Sequence, residues 1–295
     1  MSKRPLVAVF LALGCRQPEV HFVPTVTIDA EQRGVAVSED GGLGFVAMRD
    51  TTCSVSLEDA MVIGDVNLPG EQDTILDASG VLALARSDAG IHVISRSEDL
   101  ELYPGAPTAA VLTDRGPVGL EPDCTLTWYA EGARYPVADC DPDQIAAPRG
   151  GEHAYVIEQG VVTSFGAAGA RVAFGASSGP IAWDERFRLL LAADGERVTA
   201  YDAAGRSKWS FDLGVSPDQI LELGPGIGLR AGSTWVVVGR DGSEIARTDD
   251  GPNGHGESSG DGTTITVTIG GRIEVFRIEV GSLEPGPSEP VPVFD

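Results

Sequence analysis

Short apolar segments alternate with polar, glycine-rich turns along most of the chain. An apolar strand, a turn, a second strand, a second turn and a weaker strand follow one another, and this order recurs roughly every 35 to 39 residues. The stronger strands are predicted at 43–48, 81–85, 118–120, 154–157, 189–193, 227–229 and 264–269. Their partners are predicted at 53–57, 91–94, 126–129, 161–165, 198–201, 236–238 and 273–278. Seven units fit this pattern.

A period of this length that holds short strands is typical of β-propeller blades, whereas helical repeats would place apolar residues every three to four positions. The continuous apolar run at 189–193 indicates a strand covered on both faces, as inner blade strands are. The tetrapeptide Pro-Asp-Gln-Ile occurs at 142–145 and again, two repeats later, at 217–220. We therefore predict an all-β fold: a β-propeller over 33–283 with four-stranded antiparallel blades, seven in number, with eight as the alternative.

The two ends of the repeat region are predicted to meet. The last unit runs out of strands near Glu279, while the strand expected at 22–28 has no neighbour in sequence. Placing this strand at the outer edge of the last blade closes the ring and removes an exposed edge. Residues 15–32 are thus interpreted as a linker and ring-closing strand. Closely spaced prolines predict a disordered tail at 284–295.

The amino terminus has the order of a secretory signal. Lys3 and Arg4 precede an apolar run at 6–13, which is too short to span a bilayer. The sequence Leu-Ala-Leu-Gly-Cys at 11–15 resembles the bacterial lipoprotein signal. The resemblance implies removal of 1–14, acylation of Cys15 with chains such as palmitate, and, since Arg16 follows rather than Asp, an outer-membrane location facing either the periplasm or the cell surface. The alternative is an ordinary secretory signal with a chance cysteine.

The net charge limits the classes of binding partner, and the cysteines bear on the cellular compartment. A net charge of −23 disfavours nucleic acid and anionic headgroups, so contact with a membrane is expected only through the lipid anchor. Cys124 and Cys140 flank a hairpin whose turn is predicted at 131–133, midway between them. Directly opposed residues of an antiparallel pair have the separation that a disulfide needs, so we predict this bond in an oxidising compartment. Cys53 is interpreted as a buried small residue.

Candidate catalytic and metal-binding patterns are weak. The oxygen-rich loop at 249–262 contains His255 but lacks the spacing of a known calcium loop, and the aspartates at 139, 141 and 143 are read in the same way. The histidines at 21, 92, 153 and 255 form no zinc motif and no nucleophile–base pair by spacing. Paired carboxylates can catalyse glycoside cleavage, but a chain with 44 acidic residues contains such pairs by chance. Their number is therefore not evidence for an enzyme. No catalytic residue, metal or cofactor is assigned, and we predict that the protein is not an enzyme.

One stretch resembles a known repeat. The segment 198–213 has the order aromatic-Asp-x-x-Gly-x-x-x-Trp-x-Phe-Asp-Leu, carried by Tyr201, Asp202, Gly205, Trp209, Phe211 and Asp212. It resembles the repeat of pyrroloquinoline-quinone-like propellers, which implies that Trp209 docks between neighbouring blades. This superfamily includes the lipoprotein scaffold of the outer-membrane barrel assembly machinery, which usually has eight blades. Its quinone-dependent enzymes often have adjacent cysteines, and this chain has none.

These features predict a binding or scaffolding module, lipid-anchored in the cell envelope, with other envelope proteins as partners. Loops on a face of the propeller would contact the partner, because the rigid fold does not depend on these loops for its stability. The alternative is a hydrolase or lyase with a site in the central funnel. Two carboxylates, or a histidine with a carboxylate, converging there would favour the enzyme, whereas an apolar patch on a face would favour the scaffold.

Overall fold

The computed structural model describes residues 19–29, 34–38, 41–47, 51–58, 61–69, 72–79, 81–259, 262–269 and 272–280. These residues form 28 strands arranged in seven four-stranded antiparallel sheets. The predicted propeller, with seven blades rather than eight, is confirmed. The predicted signal at 1–14, Cys15 and the tail at 284–295 lie outside the described residues.

The strands are numbered in chain order, and each blade begins with its innermost strand. Blade 1 contains β2 (Gly34–Val37), β3 (Leu43–Ala47), β4 (Thr52–Ser56) and β5 (Val62–Val66). Blade 2 contains β6 (Gln72–Ser79), β7 (Leu82–Ser87), β8 (Gly90–Ile94) and β9 (Asp99–Tyr103). Blade 3 contains β10 (Ala109–Thr113), β11 (Gly116–Leu120), β12 (Thr125–Trp128) and β13 (Ala133–Pro136). Blade 4 contains β14 (Cys140–Ala146), β15 (His153–Glu158), β16 (Val161–Gly166) and β17 (Arg171–Ala176).

The remaining blades follow the same order up to the last. Blade 5 contains β18 (Ile181–Asp184), β19 (Leu189–Asp194), β20 (Arg197–Tyr201) and β21 (Ser207–Asp212). Blade 6 contains β22 (Gln219–Leu223), β23 (Gly226–Ala231), β24 (Thr234–Val238) and β25 (Glu244–Thr248). Blade 7 contains β26 (His255–Ser258), β27 (Thr264–Ile269), β28 (Arg272–Val280) and β1 (Val20–Asp29). The strong apolar strands read from the sequence are the second and third strands of the blades.

The hydrophobic core is divided among the blade interfaces. The described residues form seven buried clusters, and each joins two adjacent blades around the ring. Leu191 of blade 5, for example, shares a cluster with Leu229 of blade 6. Both faces of a blade are therefore covered, which explains why the second strands are continuous apolar runs instead of alternating ones.

Strand β1 completes blade 7. It pairs antiparallel with β28 from Val20 opposite Val280 to Asp29 opposite Arg272. The register shifts between Pro24 and Val26, where a bulge accommodates the proline that cannot donate to the ladder. The Phe22 ring lies 4.9 Å from the Trp235 ring of blade 6, so the strand also packs against the neighbouring blade.

Cys124 and Cys140 are bonded, with Cα atoms 5.6 Å apart. The sequence analysis placed the two cysteines opposite each other in one hairpin, and this placement is wrong. The hairpin β12–β13 pairs Thr125 with Pro136 and ends there, and the chain then crosses to blade 4, where Cys140 begins β14. The bond therefore joins blade 3 to blade 4. No helix in the described part of the chain is long and apolar enough to cross a membrane.

Candidate functional site

The innermost strands of the blades surround a central channel and are connected by side chains. The backbone N–H of Ile181 in β18 donates to Gln144 Oε1 in β14 at 3.2 Å. The N–H of Gly256 in β26 donates to Gln219 Oε1 in β22 at 3.0 Å. Each bond joins residues 37 positions apart. The repeated tetrapeptide thus provides the same glutamine link between innermost strands at two places in the ring.

The channel consists of two overlapping cavities of about 290 and 600 Å³. Residues that line both include Asp77, Val111, Ile145, Ile181, Leu221 and Glu257. Most of this shared wall is aliphatic, and its ionisable groups are carboxylates. The channel therefore combines aliphatic side chains with carboxyl groups.

Asp77 projects from β6 toward the neighbouring blade. Its carboxylate accepts hydrogen bonds from the N–H of Leu112 at 2.6 Å and of Ala78 at 2.8 Å. Burial raises the pKa of Asp77 to about 7; the two N–H donors lower it, and the charge of Glu257 raises it. Asp77 of blade 2 and Glu257 of blade 7 thus line the same two cavities.

A second carboxylate pair lines the smaller cavity. Asp184 is 1% exposed; its Oδ1 accepts from the N–H of Phe187 at 2.6 Å, while Oδ2 has no hydrogen-bond partner and lies 4.0 Å from Arg186 Nη2. Glu222 Oε1 accepts from the N–H of Glu185 at 2.7 Å. Burial, followed by the charge of Asp184, raises the pKa of Glu222 to about 7. Burial also raises the pKa of Asp184.

The larger cavity reaches solvent at His255, whose side chain is 73% exposed. His255 Nε2 lies 3.1 Å from Glu257 Oε1, and this hydrogen bond raises the pKa of the imidazole. Nearby, Arg230 Nε donates to Asp218 Oδ1 at 2.6 Å. A histidine and a carboxylate therefore meet at a mouth of the channel.

A Ser–His–Asp arrangement in blade 2 was not predicted from the spacing of the histidines. His92 Nε2 lies 2.8 Å from Ser87 Oγ, and its Nδ1 lies 2.9 Å from Asp99 Oδ2. These residues are brought together by the pairing of β7, β8 and β9, which a linear motif search does not detect. His92 is fully buried and Ser87 is 5% exposed.

Burial makes this arrangement structural. The Ser87 hydroxyl also lies 2.9 Å from the carbonyl oxygen of Pro69, and its oxygen accepts from the N–H of Ala89 at 3.1 Å. A nucleophilic serine has to be reached by a substrate, and Ser87 lines neither of the two channel cavities. The network therefore connects the strands of blade 2.

The residues of the quinone-like repeat lie away from the channel, in β20, β21 and the turn between them. Trp209 Nε1 donates to the carbonyl of Arg240 in blade 6 at 2.8 Å, and the Tyr201 ring contacts Phe174 of blade 4. Asp202 accepts hydrogen bonds from Arg206 and Lys208, which hold the pKa of its carboxyl well below the usual range. Gly205 adopts φ 79° in the turn, Phe211 packs against the cluster between blades 5 and 6, and Asp212 accepts from the N–H of Gly214.

The oxygen-rich segments do not come together as a metal site. Among the described residues there is no group of three or more His, Cys, Asp or Glu that could hold a metal ion. In the loop at 249–262, Asp249 accepts from the Thr234 hydroxyl.

The outer strands of blades 1 and 2 carry exposed apolar side chains. Arg96, in the turn before β9, donates to the carbonyl of Ile63 in β5 at 3.1 and 3.2 Å and so ties this turn to blade 1. We call the exposed apolar side chains on or next to these strands the rim patch: Met61 at 58%, Val62 at 61%, Leu100 at 47% and Leu102 at 49% exposure. The patch lies on the outer rim, not on a face of the propeller.

Comparison with known proteins finds solved structures of similar fold but no matching family. No protein-family model and no curated protein matches the chain. BamB of Moraxella catarrhalis is similar at 13% identity and a TM-score of 0.56, over 87% of this chain and 90% of that one. A chain of a mitotic checkpoint complex matches at 12% identity and 0.67, over 94% and 99%. The Cps50 (Swd1) β-propeller domain of Myceliophteria thermophila matches at 15% and 0.64, over 88% and 100%.

The shared property is the fold. At these identities the likeness establishes a propeller, and membership of the quinone-like repeat family stays a prediction.

Proposed function

We propose that the protein is a binding module of the cell envelope, anchored by lipid at Cys15, and that the rim patch holds a protein partner. The observation that carries this proposal is the exposure of four apolar side chains on or next to the outer strands of two adjacent blades. Exposed apolar patches that are rimmed by polar residues mark interaction sites. A chain of similar fold belongs to a mitotic checkpoint complex, which is an assembly of proteins.

The charge around the patch indicates the chemistry of the partner. Glu98 and Glu101 lie exposed beside Leu100 and Leu102. A partner with an apolar strip bordered by Lys or Arg complements this surface, because charges at the rim of an interface steer association while its apolar centre supplies affinity.

Crosslinking in isolated membranes tests the patch. We expect wild-type protein to give a discrete crosslinked species that disappears in Leu100→Glu/Leu102→Glu. Val172→Glu is the matched control, because Val172 is 50% exposed on the outer strand of blade 4. Loss of the species in both variants, or in neither, would contradict the rim patch as the binding surface.

The lipid anchor has a separate test. Mass spectrometry of the mature protein should find an acylated amino terminus at Cys15, and Cys15→Ser should fractionate away from membranes. A mature form that begins elsewhere, or a serine variant that stays with membranes, would refute anchoring at this residue.

A second candidate function is a hydrolase or lyase in the central channel, favoured by the Asp184–Glu222 pair. A carboxyl group whose pKa lies near 7 suits general acid catalysis, and a second carboxyl group, that of Asp184, lines the same cavity. Turnover of a glycan substrate that is lost in both Glu222→Gln and Asp184→Asn would support this candidate. Turnover that survives both substitutions would exclude the pair as its site.

A further inference from the structure

A cavity outside the central channel lies at the junction of blades 2 and 3, and we call it the side pocket. Its volume is about 510 Å³. It is formed by the connection between β9 and β10, by the turn between β11 and β12, and by residues of β12, β13 and the turn that joins them. The lining includes Pro104, Glu121, Pro122, Asp123, Thr127 and Tyr129. The side pocket shares no residue with the two channel cavities.

Strand pairing brings Thr127 and Arg134 to this pocket. Thr127 on β12 lies opposite Gly119 on β11 and opposite Arg134 on β13, and both Thr127 and Arg134 line the cavity. A Cβ at Gly119 would lie 3.0 Å from Cε2 of Tyr129. The missing side chain at Gly119 therefore leaves room for the Tyr129 ring.

Two groups of the pocket are free to donate hydrogen bonds. Thr127 is 6% exposed, and its buried Oγ1 has no hydrogen-bond partner in the part of the chain that the structure describes. Arg134 is exposed, and no hydrogen bond or ion pair to another described residue holds its guanidinium. By contrast, the two oxygens of Glu121 already accept, one from the Tyr129 hydroxyl and the other from the N–H of Ala106. Because a buried hydroxyl without a partner costs free energy, a ligand acceptor at Thr127 supplies what the protein lacks.

The free donors suit the backbone of a proline-rich peptide. Such a peptide adopts the polyproline II conformation, whose carbonyl oxygens have no internal partners, and proline has no N–H that needs an acceptor. The rings of Pro104, Pro122 and Tyr129 offer the apolar surface on which polyproline II segments dock. A ligand rich in hydroxyl groups needs acceptors as well as donors, whereas the oxygens of Glu121 already accept from the protein.

The carboxyl groups of the pocket indicate a basic residue beside the prolines. Glu121 and Asp123 line the pocket, and two carboxyl groups against the one guanidinium of Arg134 make it net negative. Opposite charge at the rim of a binding site favours association. The tail of this chain at 284–295 is also proline-rich, but its charged residues are all acidic. Repulsion therefore disfavours the tail as the occupant.

We propose that the side pocket binds a proline-rich segment of another protein, in the polyproline II conformation and with Lys or Arg next to the prolines. Thr127 and Arg134 donate to its carbonyl oxygens, and its pyrrolidine rings pack on Pro104, Pro122 and Tyr129. The proposal goes beyond the rim patch, uses none of its residues and stands even if that surface binds nothing.

Fluorescence anisotropy of labelled peptides titrated with the full chain tests the proposal. One probe has an arginine before eight prolines and the other has the arginine after them, so that both chain directions are sampled. We expect saturable binding of at least one probe, weakened at least threefold when leucine replaces its arginine. No binding of either probe, or equal binding of the leucine peptide, would overturn the proposal.

Thr127→Val tests the buried hydroxyl. It should weaken binding of the probe roughly fivefold, since one hydrogen bond is lost. Valine keeps the shape of threonine, and the hydroxyl has no partner among the described residues, so the unfolding temperature should not fall. Thr163→Val is the matched control, because Thr163 is 5% exposed on β16, the corresponding strand of blade 4. Unchanged affinity in Thr127→Val, or equal weakening in the two variants, would overturn the proposal.

Asp123→Asn tests the charge. Asp123 Oδ1 accepts from the N–H of Thr125 at 3.0 Å, and asparagine keeps this acceptor. Affinity for the arginine probe should fall at least threefold, while affinity for the leucine peptide stays the same. Asp241→Asn is the matched control, because Asp241 is exposed and accepts from the N–H of Ser243 at 3.0 Å in the same way. Equal weakening in both variants would mean attraction by overall charge and would contradict the proposed basic residue.

Deletion of 284–295 distinguishes another protein from the tail of this chain. We expect unchanged affinity for the probe. A rise of tenfold or more would identify the tail as the occupant and would overturn the assignment to another protein.

Discussion

The ring-closing strand should contribute a measurable share of the stability, and two of its side chains allow this share to be tested. Val20 is 2% exposed and packs in the cluster between blades 6 and 7. The Phe22 ring lies 4.9 Å from Trp235 and 6.3 Å from Phe276. Truncation of a fully buried valine costs about 1 to 2 kcal/mol, and truncation of a half-buried phenylalanine about 2 kcal/mol. Val20→Ala/Phe22→Ala should therefore lower the free energy of unfolding by about 3 kcal/mol.

Urea denaturation followed by tryptophan fluorescence measures this loss directly. The matched control is His21→Ala/Val23→Ala, because these two side chains on the same strand are exposed, Val23 at 39%. The control should change the free energy of unfolding by no more than about 0.5 kcal/mol. Similar losses in the two double variants, or no loss in either, would show that β1 does not close the ring by packing its buried face.

Three further predictions concern other parts of the ring. Replacing Cys124 and Cys140 by serine should lower the free energy of unfolding by about 3 kcal/mol in the chain-entropy model, because the bond closes a loop of 16 residues. In the same denaturation assay, a reductant should destabilise wild type but not the variant. His92→Ala should cost about 2 to 4 kcal/mol, since it empties a buried site and removes the hydrogen bonds of the imidazole to Ser87 and Asp99, whereas exposed His153→Ala should change thermal unfolding little. Glu222→Gln should be about 3 kcal/mol more stable than wild type at pH 8 and equal to it near pH 4. Folding raises the pKa of Glu222 from 4.5 to about 7, so in wild type alone the stability that is present below pH 4.5 is lost as the pH rises to about 7, and parallel pH profiles would contradict this.

The Cys124–Cys140 bond shows what the spacing of cysteines in the sequence can and cannot predict. Even placement about a turn correctly predicted which cysteines pair. The hairpin between them, however, ends at Pro136, and the crossover to β14 carries Cys140 into the next blade. Which elements a disulfide connects depends on where the strands begin and end. The sequence marks these ends poorly, because the same turn residues are compatible with several registers of strand pairing.

The channel and the blade 2 network were beyond sequence reasoning for a related reason. Asp184, Glu222 and Glu257 follow one another at about one repeat length, and they share a cavity with Asp77 because four blades turn their innermost strands to the same axis. His92 meets Ser87 and Asp99 through lateral strand pairing. Among 44 acidic residues, the sequence gives no means to choose the few whose surroundings shift their pKa values.

By itself, the sequence determined the all-β class, the repeat length and the positions of the strong strands, because apolar runs separated by turn residues are local properties of the chain. Tertiary structure decided what the blades enclose and expose: a channel lined by aliphatic side chains and four carboxyl groups, and exposed apolar side chains on the rim instead of a face. The physical reason is that burial and charge coupling depend on distances between residues from different blades. Those distances are set when the ring closes, and no local pattern encodes them.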